Sequence, residues 1–211
     1  MKSSPSKENI LKKIRKALTQ STPLPFPQSE GNNKVFQPLQ QEPEIEFAEQ
    51  FTKLQGKFIF CLNRQELAFQ VNSLVRKQEW KKVFCKEENL VNLIGPQLTE
   101  YLTREDLSNC DVSITSCEAL IARTGTIMMS TAQISGRTVS VYAPVHICIA
   151  YTKQLVYDLK DALQLVRDKY GEQLPSLITF ATGPSRTADI EKTLVVGVHG
   201  PKDVFCFLVD E

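Results

Sequence analysis

Strand-like and helix-like segments alternate along the chain from about residue 44, and this alternation limits the fold more than any other feature of the sequence. The runs KFIFCL, KKVFC, LITFATG and DVFCFLVD are rich in β-branched and aromatic residues, as strands are. The runs NRQELAFQVNSLVRKQ and QLVYDLKDALQLVRDKYG instead carry apolar residues at helical spacing. Strands joined through helices give a largely parallel sheet covered on both faces, so we predict an α/β domain over residues 44–211.

One block departs from this alternation. The runs DVSITSCEALI, TGTIMMS and RTVSVYAPVHICIA follow one another over residues 111–150 with short polar breaks and no helical pattern between them. Adjacent strands with short connections pair antiparallel. We therefore expect hairpins or a mixed sheet in this block.

Residues 1–43 form a separate region with a different composition. SPSKENILKKIRKALTQ predicts a short helix with Ser4 as its N-cap and Pro5 at its first position, and six of the first 20 residues are basic. This helix either packs on its own domain or on a sister subunit, or it is a basic arm for a partner. Residues 21–43 hold five of the 11 prolines and predict a linker or extended strap.

Charge and cysteine usage exclude several classes of protein. The formal net charge is +1, and the basic first segment leaves the rest of the chain slightly acidic, which argues against a nucleic-acid-binding body. The six cysteines form no C-x-x-C pair and lie mostly in apolar runs, so we predict reduced, buried thiols of a cytoplasmic protein, with no metal site and no cofactor. No apolar run reaches the ~20 residues of a membrane span.

The segment TGPSRTADIEKTLVVGVHGP, residues 182–201, combines turn residues with hydrogen-bond donors. Gly183 and Pro184 predict a turn after a strand, at the strand's carboxyl end, where α/β proteins bind ligands. Ser185, Arg186 and Thr187 would then supply donors for an anion at the start of a helix from about Ala188. Ordinary helix capping, with Asp189 and Glu191 in the first turn, explains the same pattern equally well.

The two histidines follow valines beside turns. His146 stands in APVHI and His199 in GVHGP, where the Gly200-Pro201 turn would present the second imidazole at a rim. A structural role is the simpler explanation for either ring. His199 is nevertheless a candidate proton donor, or a hydrogen-bond donor to a ligand.

A third group of polar residues interrupts CEALIARTGTIMM. Arg123 in this apolar setting needs a partner, for which Glu118 and Asp111 are the candidates, and an ion pair of structural importance is the simpler explanation. The functional alternative places a carboxylate at a strand end beside Thr124 and Gly125, where a glycine allows close approach of a ligand. The P-loop, the G-x-S-x-G elbow and the G-x-G-x-x-G fingerprint do not occur in the sequence.

Three segments together resemble the lactate-utilisation protein C family, the LUD domain: CEALIARTGTIMMS, RTVSVYAPVHICIAY and TFATGPSRTADIEKTLVVGVHGPKDVFCFLVDE. The resemblance covers about residues 44–211 and is strongest over 117–211. It implies a fold related to sugar-phosphate isomerases, coenzyme A transferases and formyltetrahydrofolate cyclo-ligase. It also implies a part in oxidation of L-lactate to pyruvate beside two iron–sulfur partner proteins, with this chain as the subunit that carries no cluster.

The resemblance also implies a set of ligand-facing residues. These are Arg123, Thr124, Gly125, His146, Gly183, Ser185, Arg186, Thr187, Asp189, Glu191, His199 and Gly200. Glu118 is the candidate for the glutamate that attacks a thioester in the related transferases.

Three hypotheses about function therefore remain open at this stage. The chain is a non-redox accessory component of iron–sulfur-dependent L-lactate oxidation that binds a small anion or partner proteins, or an independent isomerase or acyl-transferase acting on a phosphate or thioester. The third hypothesis is an interaction module that docks through its basic helix. The sequence leaves open whether the chain is an enzyme and whether it forms a homo-oligomer.

Overall fold

The computed structural model describes residues 5–19, 38–190 and 193–211. The chain divides into two compact units, Met1–Pro38 and Leu39–Glu211. In the first unit, helix α1 (Pro5–Leu18) confirms the predicted helix, and Ile10, Leu11 and Ile14 on it are exposed. The predicted cap Ser4 and most of the Pro-rich strap lie outside the described residues.

The second unit contains the remaining elements. Its helices are α2 (Pro43–Lys53), α3 (Arg64–Lys77), α4 (Glu88–Ile94), α5 (Val139–Tyr142) and α6 (Leu159–Tyr170). Its strands are β1 (Lys57–Cys61), β2 (Val83–Phe84), β3 (Leu102–Thr103), β4 (Val112–Thr115), β5 (Ala119–Ile121), β6 (Thr126–Ser130), β7 (Val145–Tyr151), β8 (Leu155–Val156), β9 (Ile178–Ala181), β10 (Arg186–Ile190), β11 (Thr193–Val196) and β12 (Asp203–Val209).

The centre of this unit is a six-stranded sheet in the order β1-β12-β7-β4-β2-β3. Every neighbouring pair in it is parallel, as the alternation of strands and helices predicts. Parallel strands bury both faces and read as continuous apolar runs, which explains DVFCFLVD and VHICIAY. The predicted α/β fold with a largely parallel sheet is confirmed.

The two faces of this sheet are covered differently. Ile114, Ile147 and Phe207 pack on one face against helices α3 and α4. The alternate residues, such as Cys148 and Cys206, face helix α2 and a second sheet. Helices therefore contact both faces, and the second sheet adds a layer that α6 covers on its outer side.

Two strands of the second sheet, β5 and β6, come from the block that departs from the alternation, whereas β8 and β9 lie outside it. The run LITFATG, which was predicted as a strand of the parallel sheet, thus forms β9 of the second sheet. The order of the second sheet is β8-β5-β6-β9; β5 pairs antiparallel with β6, and β6 antiparallel with β9. The predicted hairpin pairing is therefore confirmed for residues 119–130. A separate two-stranded hairpin joins β10 to β11.

Two predicted elements begin later than the sequence suggested. RTVSVYAPVHICIA is not one strand: α5 occupies Val139–Tyr142, and the strand starts at Val145 because Pro144 has no N–H to donate to a ladder. The helix predicted from Gln154 instead starts at Leu159. Asp158 caps it by accepting from Lys160 N at 3.3 Å, so Leu155 lies in strand β8 and not on the helical stripe.

Gly125 lies between β5 and β6, directly against the backbone of α2. Its φ is +58°, and a Cβ atom there would lie 2.4 Å from the backbone nitrogen of Phe51. Gly136 has a similar φ of +61°, but a Cβ atom there would meet nothing within 4 Å. Substitutions at the two glycines can therefore distinguish the cost of a left-handed backbone from the cost of a steric clash, because only Gly125 would incur both.

We expect Gly125→Ala to lower the free energy of unfolding by about 3 kcal/mol or more, because it adds a backbone clash to the cost of a left-handed conformation. Gly136→Ala, which carries only the conformational cost, should lose about 1 kcal/mol. Urea denaturation of both variants measures the difference. Equal losses would show that α2 does not sit against Gly125 as described.

Candidate functional site

Residues 186–190 and 193–196 pair as two antiparallel strands, where the sequence predicted a helix from about Ala188. Arg186 pairs with Val196 and Thr187 with Val195 across β10 and β11. The β-branched run TLVV offers a partner strand, and pairing with it outweighs the local helix-start signal of Ser, Thr and acidic residues. The predicted anion site at a helix N-terminus is therefore wrong. Asp189 lies in β10, and Glu191 is outside the described residues.

The Arg186 side chain contacts the carboxyl end of helix α2. Its Nη2 donates to the carbonyl oxygen of Leu54 at 2.7 Å, and Leu54 is the residue that follows α2. Gly183 also packs there, since a Cβ atom on it would lie 2.6 Å from the same oxygen. A cation beside the last carbonyls of a helix is favourable. The guanidinium thus caps α2, in place of the anion contact that the sequence suggested.

Five of the candidate residues do meet in one cleft, which we call the histidine cleft. It has a volume of about 260 Å³. It is lined by Met129, Ser140, Val141, His146, Thr179 to Ser185, His199 to Pro201 and Val204. His146 and Val204 are the second residues of β7 and β12, so the cleft lies at the amino ends of these parallel strands. Gly183 and Pro184 do follow the carboxyl end of a strand, as predicted, but that strand is β9 of the second sheet.

Two turns build the rim of the cleft. Ser185 N donates to the carbonyl oxygen of Pro201 at 3.0 Å, and Gly197 N donates to that of Ser185 at 2.9 Å. A Cβ atom on Gly200 would lie 2.9 Å from the Ser185 Cβ. Glycine at position 200 thus lets the Gly183-Pro184 turn and the Gly200-Pro201 turn touch, which explains why the segment contains both.

The two histidines differ in environment. His146 is buried, its Nε2 lies 2.9 Å from Thr115 Oγ1, and burial lowers its pKa from 6.5 to about 4. It is therefore a neutral hydrogen-bonding group at pH 7. His199 is exposed at the mouth, where it also borders an adjoining cleft of about 420 Å³ with Tyr142 and Lys202. Of the two, His199 is the imidazole that a ligand or proton can reach from solvent.

The residues around Arg123 lie elsewhere and make structural contacts. Arg123 Nε pairs with Asp158 Oδ2 at 2.5 Å, so the predicted partners Glu118 and Asp111 are wrong. Arg123 N donates to the carbonyl oxygen of Tyr157, which brings the side chain beside Asp158. The Asp111 carboxylate instead accepts hydrogen bonds from the backbone nitrogens of Lys81 and Lys82.

A chain of hydroxyls connects Thr124 to the edge of the cleft. The Thr124 and Thr126 Oγ1 atoms lie 2.8 Å apart, and those of Thr126 and Thr182 lie 2.9 Å apart. Thr182 lines the cleft, whereas Thr124 is two hydrogen bonds away from it. Gly125 faces α2, so its missing side chain serves packing and not the approach of a ligand.

Glu118 lies after β4, at the opposite edge of the sheet from His199. Its side chain is fully buried, and its carboxylate accepts hydrogen bonds from Ser130 Oγ at 2.6 Å, Tyr170 OH at 2.7 Å and Lys169 Nζ at 2.8 Å. The two candidate catalytic residues therefore do not share a site. A carboxylate held by three donors and closed off from solvent gives little support to nucleophilic attack on a thioester.

The charge state of Glu118 follows from these bonds. Burial, the largest influence, acts to raise the pKa, but the donors Lys169, Ser130 and Tyr170 together outweigh it, and the pKa falls below its usual value of 4.5. Glu118 is therefore ionised at neutral pH and compensated by the Lys169 ammonium. Sequence reasoning missed Ser130, Lys169 and Tyr170, although a buried acid in an apolar run signals that donors must come from elsewhere.

The sequence profile of the LUD domain matches residues 45–209, which is most of the chain. The chain belongs to the LUD domain family. The family match spans both the histidine cleft and the Glu118 cluster.

Individual relatives agree with this assignment. Lactate utilization protein C of Shouchella clausii is 39% identical over 108 residues, which are 51% of this chain and 47% of that protein. Lactate utilization protein C of Anoxybacillus flavithermus is 26% identical over 183 residues, which are 79% of this chain and 80% of that protein. For relatives such as the first, the match spans only about half of the relative's length.

A solved structure has the same fold. A DUF162 family protein from Deinococcus radiodurans superposes with a TM-score of 0.61 at 19% sequence identity, over 82% of this chain and 99% of that chain. The comparison supports the α/β architecture described above.

We expect Glu118→Gln to lower the free energy of unfolding at pH 7 by about 1–3 kcal/mol, because it removes the charge that three donors compensate. Since folding lowers the pKa of Glu118, its contribution is present above the unfolded-state pKa and is lost as the pH falls through the lower folded-state value. The variant should therefore lose less stability than the wild type when the pH is lowered from about 6 to 3. Urea denaturation at several pH values measures this.

Lys169→Met should lower the free energy of unfolding at pH 7 by a comparable or smaller amount. The control is Arg167→Met, which removes an exposed charge from the same helix and should change the free energy of unfolding little. An unchanged pH profile in Glu118→Gln would contradict an ionised Glu118.

Proposed function

We propose that this chain is an accessory, non-redox component of an iron–sulfur-dependent L-lactate oxidation system, and that it binds a small carboxylate in the histidine cleft. Relatives that share its domain are called Lactate utilization protein C, which supports a role in lactate utilisation. The observation that carries the ligand part of the proposal is the meeting of His146, Ser185 and His199 in one small cleft.

The volume of the cleft favours a metabolite of a few heavy atoms. Sites for drug-sized molecules occupy about 300–1,000 Å³, and the histidine cleft has about 260 Å³. The hydroxyls of Ser140, Thr182 and Ser185 border it, together with the two imidazoles. Hydroxyl and N–H donors suit the carboxylate and the hydroxyl or keto oxygen of L-lactate or pyruvate.

The positions of the thiols support a division of labour with other proteins. Cys61 and Cys85 are buried in the cluster beneath α3 and α4, Cys110 lies beside α5, and Cys117, Cys148 and Cys206 lie between the two sheets. Burial raises the pKa of Cys61 to about 11 and that of Cys85 to about 12. These thiols are built into the core as small hydrophobic side chains, so we assign the iron–sulfur clusters to partner proteins.

The ligand proposal predicts that L-lactate or pyruvate raises the melting temperature of the purified chain. A ligand at 100 times its dissociation constant adds about 2.7 kcal/mol, which is a shift of about 5–10 °C for a protein of this size. We expect Ser185→Ala and His199→Ala to abolish most of the shift. Lys77→Ala, on α3 at the opposite face of the sheet, is the control and should keep it. A shift that survives both cleft variants would place the ligand elsewhere.

The accessory role predicts a requirement for the chain in a reconstituted system. Lactate-dependent reduction of an electron acceptor by the iron–sulfur partner proteins should fall several-fold when this chain is omitted, and the chain should co-purify with them. Addition of the wild-type protein should restore the rate, whereas Ser185→Ala should restore it only in part. Equal rates with and without the chain would refute the role.

A further inference from the structure

A second and larger cavity lies at the opposite edge of the sheet, and we call it the lysine crevice. It has a volume of about 800 Å³. It is lined by Lys86 to Asn89, Ser116, Cys117, Ala132 to Ile134, Tyr151, Lys153, Gln154, Lys169 and Tyr170. Three of these segments directly follow strands β2, β4 and β7, so the crevice opens at the carboxyl ends of the parallel strands.

The connections that leave these strands diverge. After β2 the chain enters α4, which packs on one face of the sheet, and after β4 it enters β5, which packs on the other. Strands β2 and β4 are neighbours in the sheet. Adjacent strands whose connections go to opposite faces leave a gap between their loops, and in open α/β sheets this gap is the usual ligand site.

Three lysines, Lys86, Lys153 and Lys169, line the crevice. Lys86 is exposed at the end of β2, and Lys153 Nζ lies 5.2 Å from the centre of the Tyr151 ring. Lys169 forms an ion pair with Glu118, whose side chain is fully buried. The Lys169 side chain itself is 53% exposed. An ammonium group has three donors, and the bond to Glu118 uses one of them. Lys169 can therefore serve the buried carboxylate and a ligand together.

Side-chain hydrogen bonds join the separate loops that line the crevice. Glu87 Oε1 accepts from Ser116 N at 3.0 Å and from Ser135 Oγ at 2.6 Å. Gln133 Nε2 donates to Ser116 Oγ at 3.1 Å, and Gln154 Nε2 donates to the carbonyl oxygen of Cys117 at 2.6 Å. Loops held in this way lose little freedom when a ligand binds.

We propose that the lysine crevice binds a small organic dianion, a phosphate monoester or a dicarboxylate, through Lys86, Lys153 and Lys169. Its volume is within the range of sites for small molecules and about three times that of the histidine cleft. Glu87 and Glu88 also border the crevice, so the anionic end of the ligand lies beside the lysines and a neutral polar remainder lies toward the glutamates. Glu118 is a positioning residue here, because it orients Lys169 and does not touch the ligand.

The test is calorimetric titration of the full chain with glycerol 3-phosphate and with succinate, each at low and high salt, and with glycerol as the neutral probe. We expect binding of at least one dianion, weakened by salt, and none of glycerol. The double variant Lys86→Ala/Lys153→Ala should weaken binding by at least about tenfold, since the loss of even one good charged contact has an effect of that size. Preference for one of the two dianions identifies the natural anionic group.

Three comparisons make the outcome decisive. Lys77→Ala should bind the dianion as the wild type does, and Lys153→Arg, which keeps the charge, should retain more affinity than Lys153→Ala. Ser185→Ala and His199→Ala should leave the titration unchanged, so that failure of the lactate proposal does not affect this one. No binding of either dianion up to about 10 mM, or equal binding by the double lysine variant, would overturn the proposal.

Discussion

Apolar contact between the parallel sheet and the second sheet is the interaction on which the rest of the molecule depends. Leu120, Ile127 and Met129 of the second sheet are buried against the Cys148 and Cys206 side of the first. Removing this surface from water supplies the main driving force for holding the layers together. It also forces the loops that connect the layers to the two ends of the strands, so both cavities lie where the apolar layer stops.

The margins of that layer explain the polar residues there. His146 lies on the same side of β7 as Cys148 but two residues closer to the amino end of the strand, and its side chain is hydrogen-bonded to Thr115. Glu118 leaves the layer at the other end and collects donors from β6 and α6. A polar group buried at such a boundary must be paired, and its pairing fixes which groups face the adjoining cavity. The layer thereby determines the chemistry at each edge.

Features with short-range causes could be predicted from the sequence. The strand and helix alternation predicted the parallel sheet. Asn63 is a residue type that commonly caps helices, and its Oδ1 accepts from Glu66 N at 2.9 Å at the start of α3. The contacts of Arg123 and Arg186 were not predictable, because Asp158 and Leu54 are distant in the sequence and only the assembled layers bring them close. The TADI segment carried a helix-start signal, but it pairs with TLVV as a strand, and the sequence alone did not show that this partner would be available.

The place of β12 within the sheet bears on the order in which the protein can be assembled during synthesis. β12 lies between β1 and β7, so Lys57 pairs with Phe205 and Val145 with Asp203. Strand β1 must wait for β12, which lies about 140 residues further along the chain, and this is a delay on the order of ten seconds at typical elongation rates. During that interval its apolar side chains have no native neighbour in the sheet, and closing so long a loop is slow. A nascent chain of this topology is thus exposed to misassembly until the seven residues of β12 have been made.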